Sequence, residues 1–194
     1  MKYIITILIF FSFHTMGRES GQTEITTDDG IEVFNKEKYY LLKKNVKIIS
    51  DEYELNADLV KAYFNKDLYD ITRISSNGNV TLNSSKGIKA SGEKINFDLI
   101  NEDIQIFGKN SLFINNKINM FSDKELKINN ITGNFIVNGP NSRLKTNKID
   151  ITGYLIEGKF TQLENINEVE LLNVEDETQI HIKTETLDMY ALRA

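Results

Sequence analysis

The stretch Gly78–Phe97, GNVTLNSSKGIKASGEKINF, decides how the rest of the chain is read. It divides into a strand at Asn79–Asn83, a turn, a strand at Gly87–Ala90, a kink at Ser91–Glu93 and a strand at Lys94–Phe97. Val80 and Leu82, Ile88 and Ala90, and Ile95 and Phe97 fall on alternate positions. Successive side chains of a strand point to opposite faces, so this spacing builds one apolar face and one polar face.

Working outward, the same pattern recurs. Leu55-Asn56-Ala57 precedes Val60 and Ala62, and Ile118-Asn119-Met120 precedes Leu126 and Ile128. LKTNKIDI from Leu144 and IKTETLDM from Ile182 are nearly one sentence, running on to Ile149 and Ile151 and to Leu187 and Met189. Starts at Leu55, Ile88, Ile118, Leu144 and Ile182 lie 33, 30, 26 and 38 residues apart, a loose period of stacked units. Gly78, Gly108, Gly133 and Gly158 lead Gly/Asn-rich punctuation that reads as turns between strands.

Tyr53–Phe64 reads as a strand whose phase shifts at Asp58-Leu59, although Leu55, Leu59 and Tyr63 also fit helical spacing. Glu24–Thr27 reads as a short strand before a turn at Asp28-Asp29-Gly30. Ile31–Asn35 and Lys38–Leu42 form a hairpin, and Asn45–Ser50 is a further strand. The expectation is an all-β, elongated, antiparallel structure of roughly fifteen short strands, two sheets facing each other as a sandwich or a folded-over trough. Its inward set mixes Ile and Leu with Ala57, Ala62, Ala90, Thr146 and Thr184, which leaves room for a groove.

The N-terminus reads as a targeting segment. Lys2 precedes the apolar run Tyr3–Phe13, and Thr15 and Gly17 have cleavage-site spacing, so residues 1–17 are assigned as a signal peptide and 18–23 as a flexible leader. The run is shorter than the ~20 residues of a spanning helix. Removing Lys2 with it leaves 22 of the 23 basic residues against 28 acidic ones, a charge of −6. Such a surface argues against nucleic acid as a partner. There is no cysteine, hence no disulfide, thiolate site or lipoprotein anchor, and the only histidines are His14 and His181. The outward-facing His181 leaves no Ser-His-Asp set to build, and Asp28-Asp29-Gly30 lacks the further ligands of a cation loop. The expectation is no catalysis, no cofactor and no metal. The acidic segment Glu164–Glu177 reads as a solvated face.

The order EITTDDGIEVF, NVKI, ELNADLVKAYF, GNVTL, IKASGEKINFD and IQIFG resembles the OstA-like (LptA) family of periplasmic lipopolysaccharide-transport proteins, related to LptC and to the N-terminal domain of LptD. The match rests on Asn56-Ala57-Asp58, Gly78-Asn79-Val80 and Ala90-Ser91-Gly92-Glu93 leading to Phe97-Asp98, and it is clearest over 24–115 of a domain assigned to 24–194, with further rungs over 116–194. The resemblance implies a jellyroll open along one side that holds lipid A acyl chains in the periplasm. It also implies head-to-tail edge pairing into a bridge between inner and outer membrane. Partners would be lipopolysaccharide, an LptC-like inner-membrane component, an LptD-like outer-membrane translocon and further copies of the chain.

The groove lining expected on this basis starts with Val46, Ile48, Leu55, Val60, Val80 and Leu82. It continues with Ile88, Ile95, Phe97, Ile104, Ile106, Leu112 and Ile114. The partner edges are Glu24, Ile25, Thr26 and Thr27 at one end and Thr186, Leu187, Met189 and Ala191 at the other. A groove open on one side buries only part of each chain; a dozen fully buried methylenes would hold at roughly 10 kcal/mol, too tightly for transfer. Two alternatives stand beside this reading. One is an LptC-like component that keeps Tyr3–Phe13 as a membrane anchor; the other is a β-solenoid that acts on polysaccharide or serves as a repeat adhesin.

Overall fold

A computed structural model of the 194-residue chain describes residues 23–66, 70–115, 118–160 and 169–193. The proposed signal segment, most of the leader and residues 164–168 of the acidic segment lie outside them. The first strands are β1 (Glu24–Thr26), β2 (Ile31–Phe34), β3 (Tyr39–Ile49), β4 (Tyr53–Phe64) and β5 (Ile71–Ser84). Then come β6 (Lys89–Asp98), β7 (Asp103–Phe107), β8 (Ser111–Asn115), β9 (Ile118–Ser122) and β10 (Glu125–Asn129). The last are β11 (Asn134–Thr146), β12 (Ile149–Phe160), β13 (Val169–Thr184) and β14 (Asp188–Arg193). Every pairing is antiparallel, and one sheet of fourteen strands runs β1-β3-β4-β5-β6-β7-β10-β11-β12-β13-β14 among the described residues.

The strands are longer than the sequence suggests because most of the punctuation is not turns. Pairing breaks at Lys43/Val46 in β3, Asn56/Leu59 in β4 and Asn77/Val80 in β5. It breaks again at Asn138/Ser142 in β11, Thr152/Leu155 in β12 and Glu175/Ile180 in β13. Between β6 and β11 the chain interrupts itself at the same level, at Gly108–Asn110 and at Asp123-Lys124, giving β7/β8 and β9/β10. These breaks adjoin from strand to strand, so the sheet is creased along a line and divided into two leaves. β1, β8 and β9 lie wholly in the first leaf, and β14 lies there except for Arg193, which pairs with Glu175 past the break; β2, β7 and β10 lie wholly in the second. The long strands pass through both.

The crease has its own chemistry. Lys44, Asn45, Asn79, Asn110 and Asn141 have positive φ, as do Gly78, Gly108 and Gly139. A Cβ on Gly78 would overlap Asp58, whose carboxylate accepts a hydrogen bond from the Asn79 amide at 3.0 Å. The motif Gly-x-Asn-Ser stands at Gly108–Ser111 and again at Gly139–Ser142. In each copy the buried serine donates to the glycine carbonyl, at 2.8 Å. Asp123 ties the two copies together, accepting from the Asn110 N–H at 3.0 Å and from the Asn141 amide at 2.6 Å. These donors hold its carboxyl below the usual range, the Asn110 N–H most strongly.

Two corrections to the repeat follow. The units at Leu55, Ile88 and Ile118 are single passes across the crease, whereas those at Leu144 and Ile182 are hairpins. In the hairpins the Thr146 hydroxyl accepts from the N–H of Lys148 and Ile149, and the Thr184 hydroxyl from Thr186 and Leu187. Gly158 lies inside β12 and opens no strand. It is glycine because a Cβ there would meet the Leu171 carbonyl oxygen and the Phe135 ring.

Inward side chains line up across the leaves. In the first leaf one row runs Ile25, Ile48, Leu55, Leu82, Ala90, Phe113, Met120, Leu144, Ile151, Ile182 and Met189, a residue from each of eleven strands. In the second leaf, next to the crease, the row is Leu42, Val60, Ser76, Ile95, Ile106, Leu126, Val137, Ile156 and Val174. Beyond it runs Tyr40, Ala62, Ile74, Phe97, Ile104, Ile128, Phe135, Gly158 and Leu172. The rows merge into a single core.

Candidate functional site: an apolar cavity between the leaves

From β9 onward many of the described inward side chains are fully covered. Met120, Leu126, Leu144, Ile151, Ile156 and Ile180 are fully buried, and Phe135 stacks on Phe160 with ring centroids 4.3 Å apart. Between β4 and β7 the side chains leave a cavity of about 370 Å³. Tyr53, Leu55, Leu82 and Ile88 line it from the first leaf, and Ile74, Ser76, Ile95, Phe97, Leu99 and Ile104 from the second. Because residues of both leaves line one space, the creased sheet is folded over on itself, one of the two arrangements the sequence pattern allows.

The rim is polar and braced. Glu52, Ser84 and Lys86 stand on one lip, Glu102 and Asn130 on the other. The first lip is tied by Ser85 N–H to Glu52 C=O at 2.8 Å and Ser84 N–H to Ile88 C=O at 2.8 Å. On the second, the Asn130 N–H reaches the Glu102 carbonyl at 2.9 Å and its amide reaches the Glu102 carboxylate. Burial, then the charge of Glu52, pushes the Tyr53 phenol upward, so it faces the cavity neutral. Asp98 organises the β6–β7 turn by accepting from the N–H groups of Ile100 and Asn101, both at 2.9 Å. Asn129 does the same for the β10–β11 turn, accepting from Thr132 N–H at 2.6 Å. The neighbouring tips of these turns present Ile100 and Ile131, each 66 % exposed, beside the mouth.

Of the thirteen residues expected to line a groove, Leu55, Leu82, Ile88, Ile95, Phe97 and Ile104 border this cavity. Val46, Ile48, Val60, Val80 and Ile106 point inward but are core, at most 5 % exposed. Leu112 and Ile114 are a correction. They lie on the outer face of β8, and Phe113 between them is the buried residue, aligned with Ala90 and Met120. Three consecutive apolar residues carry no alternation of their own, and the break at Gly108–Asn110 set the phase.

Ile74 and Ser76 were not anticipated, because Ile71–Asn77 is too polar at inward positions to read as half of a strand. Tyr53 was placed inward without being assigned to the lining, and Leu99 follows from the turn alone.

At the sheet's ends, Glu24–Thr26 pairs with Ile49–Lys47, and Thr27 lies just beyond, its hydroxyl bonded to the Lys43 carbonyl. Ile25, Ile31 and Val33 continue the inward rows of Ile48, Leu42 and Tyr40 and are 42–50 % exposed. At the far end Met189 and Ala191 belong to β14, but Thr186 and Leu187 sit in the turn capped by Thr184. Asp28 and Asp29 bond to Asn45 and Lys44 at 2.6 and 2.9 Å, closing β1 onto β3. His181 faces outward, 2.8 Å from Asp188 and stacked on Tyr190.

An antiparallel sheet folded along a crease around an apolar cavity, with a polar rim at its mouth, defines a class of creased β-troughs. A family model described as LptA/(LptD N-terminal domain) LPS transport protein matches residues 24–130. That is more than half of the chain, and the chain belongs to this family of lipopolysaccharide-transport proteins, whose members are not enzymes. Among solved structures it is similar to the crystal structure of LptH, the LptA homologous periplasmic component of the conserved lipopolysaccharide transport device from Pseudomonas aeruginosa. The identity is 12 % and the TM-score 0.47, over 56 % of this chain and 76 % of that one. No curated protein matches.

Proposed function

We propose that this chain is a periplasmic link in lipopolysaccharide transport: a mature domain over 24–194, freed of residues 1–17, that holds lipid A acyl chains between the leaves. The observation that carries this reading is the cavity between β4 and β7, apolar inside and polar at the mouth. Burial of hydrocarbon supplies about 0.8 kcal/mol per methylene, and a trough that encloses only part of a chain can release it.

The bridge role draws support from the sheet's edges. An edge strand presents unpaired backbone groups to an incoming strand. At β1 and β2 the exposed Ile25, Ile31 and Val33 would be covered by a strand that extends the inward rows. An LptC-like component fits that end, while β14 would meet an LptD-like translocon or the next copy.

Photocrosslinking tests the reading. A photoreactive residue at Ile88 or Phe97 is expected to capture lipopolysaccharide in cells, and one at the outward Leu112 is not. Failure of both inner positions in a folded protein would refute it. N-terminal sequencing of the mature protein is expected to begin after Gly17, whereas a retained Met1 would indicate an anchored component instead.

A further inference from the structure

Ser76 is the one polar residue in the nine-residue row beside the crease, between Val60 and Ile95. It is 1 % exposed, lines the cavity, and its hydroxyl has no hydrogen-bond partner among the described residues. The other buried serines are placed differently. Ser111 and Ser142 bond to glycine carbonyls of the crease, and Ser122 to the Asn138 carbonyl at 2.6 Å. Eight of the nine positions in the row are aliphatic, so the packing does not demand a hydroxyl here. A buried hydroxyl without a partner is costly, and such groups in native structures call for a reason.

We infer that Ser76 is a specificity-determining residue of the cavity, selecting an acyl chain that carries a hydroxyl along its length over a plain saturated one. The inference rests on the reading that the cavity holds an acyl chain. With Oγ almost wholly covered, the Ser76 hydroxyl is unpaired while the trough is empty. A saturated chain offers it nothing and leaves it bare. A hydroxylated chain supplies the missing hydrogen bond, donating to or accepting from Oγ. The volume of about 370 Å³ lies near the lower end of the roughly 300–1,000 Å³ of small-ligand clefts, which suits one chain. The side chains beside Ser76 are aliphatic or aromatic (Ile74, Ile95, Phe97, Ile104), so apart from the Tyr53 phenol and the polar rim it is Ser76 that would read the oxygen.

The test is equilibrium binding of tetradecanoate and its 3-hydroxy and 12-hydroxy derivatives to the mature protein, with Ser76→Ala and Ser76→Val alongside. The wild type is expected to bind at least one hydroxylated chain about tenfold more tightly than tetradecanoate. In both variants that preference should vanish, with tetradecanoate binding unchanged or tighter. Circular dichroism and the urea midpoint check folding, and both variants should be at least as stable as the wild type, since each removes an unpaired hydroxyl. Equal binding of all three chains by the wild type, or a preference that survives in Ser76→Ala, would overturn the role of Ser76 while leaving the acyl-chain reading intact. Binding of no chain would overturn both.

Discussion

Phe97 and Phe135 belong to the same inward row, three pairings apart through Ile104 and Ile128, yet their truncation should have very different effects. Phe135 is 2 % exposed, stacks on Phe160 and lies over Gly158. Phe135→Ala leaves an enclosed hole that neighbours on both leaves cannot fill, and the expected loss is about 3–5 kcal/mol, including the ring stacking. Phe97 is partly buried and already borders open space. Phe97→Ala enlarges an existing cavity without creating a closed one, so only the transfer part of the loss applies, about 1–2 kcal/mol. Urea unfolding of the two variants and the wild type, with a shared slope, reads the difference as a midpoint gap of roughly 1 M. Equal losses, or a larger loss at Phe97, would mean that the trough is as solid between β4 and β7 as it is downstream, and the cavity argument would fail.

Three further outcomes are expected. Gly158→Ala should destabilise by about 1–3 kcal/mol through overpacking against the Leu171 carbonyl and the Phe135 ring, a lower urea midpoint being the readout. Asp98, Asp123, Asp150 and Asp176 are all held below the ordinary carboxylate range, chiefly by Asn101 N–H, Asn110 N–H, Arg143 and Thr178 N–H respectively. A depressed folded pKa contributes stability that is complete above the unfolded value, so the urea midpoint should be flat above pH ~5 and fall as the pH drops through ~4 and below. Asp150→Asn should flatten part of that slope. His181→Ala removes the Asp188 contact and the Tyr190 stack, and hydrogen exchange in β14 should speed up a few-fold while β4–β6 stay unchanged.

Alternation was enough to read an antiparallel all-β fold with one apolar face, while the choice of a trough open along one side came from the family resemblance. Val80 and Leu82, Ile95 and Phe97, and the phase shift at Asp58-Leu59 all fall where the strands and their breaks lie. What misled was local ambiguity. Gly78-Asn79 and Gly108-Lys109-Asn110 have the composition of turns, and their positive φ is real, but the chain carries on past them with its direction bent. Strand length therefore could not be read where the crease crosses. The cavity was only half legible for another reason. Which inward residues touch empty space depends on what faces them across the trough, and that is a relation between residues far apart in sequence. Ser76 was hidden by the very rule that found its neighbours, since a polar residue at an inward position looks like an interruption.

The crease also sets how such a protein can change size. Each hairpin crosses it twice, so adding one hairpin lengthens both leaves together and keeps the cross-section fixed. The Gly-x-Asn-Ser copies at Gly108 and Gly139 mark one such increment, and the Asp123 link between them shows how a new increment would be stitched to the last. Width is written in the crease and reach in the number of hairpins. A lineage can therefore tune the span of its trough by whole units while the grip on what lies inside stays the same.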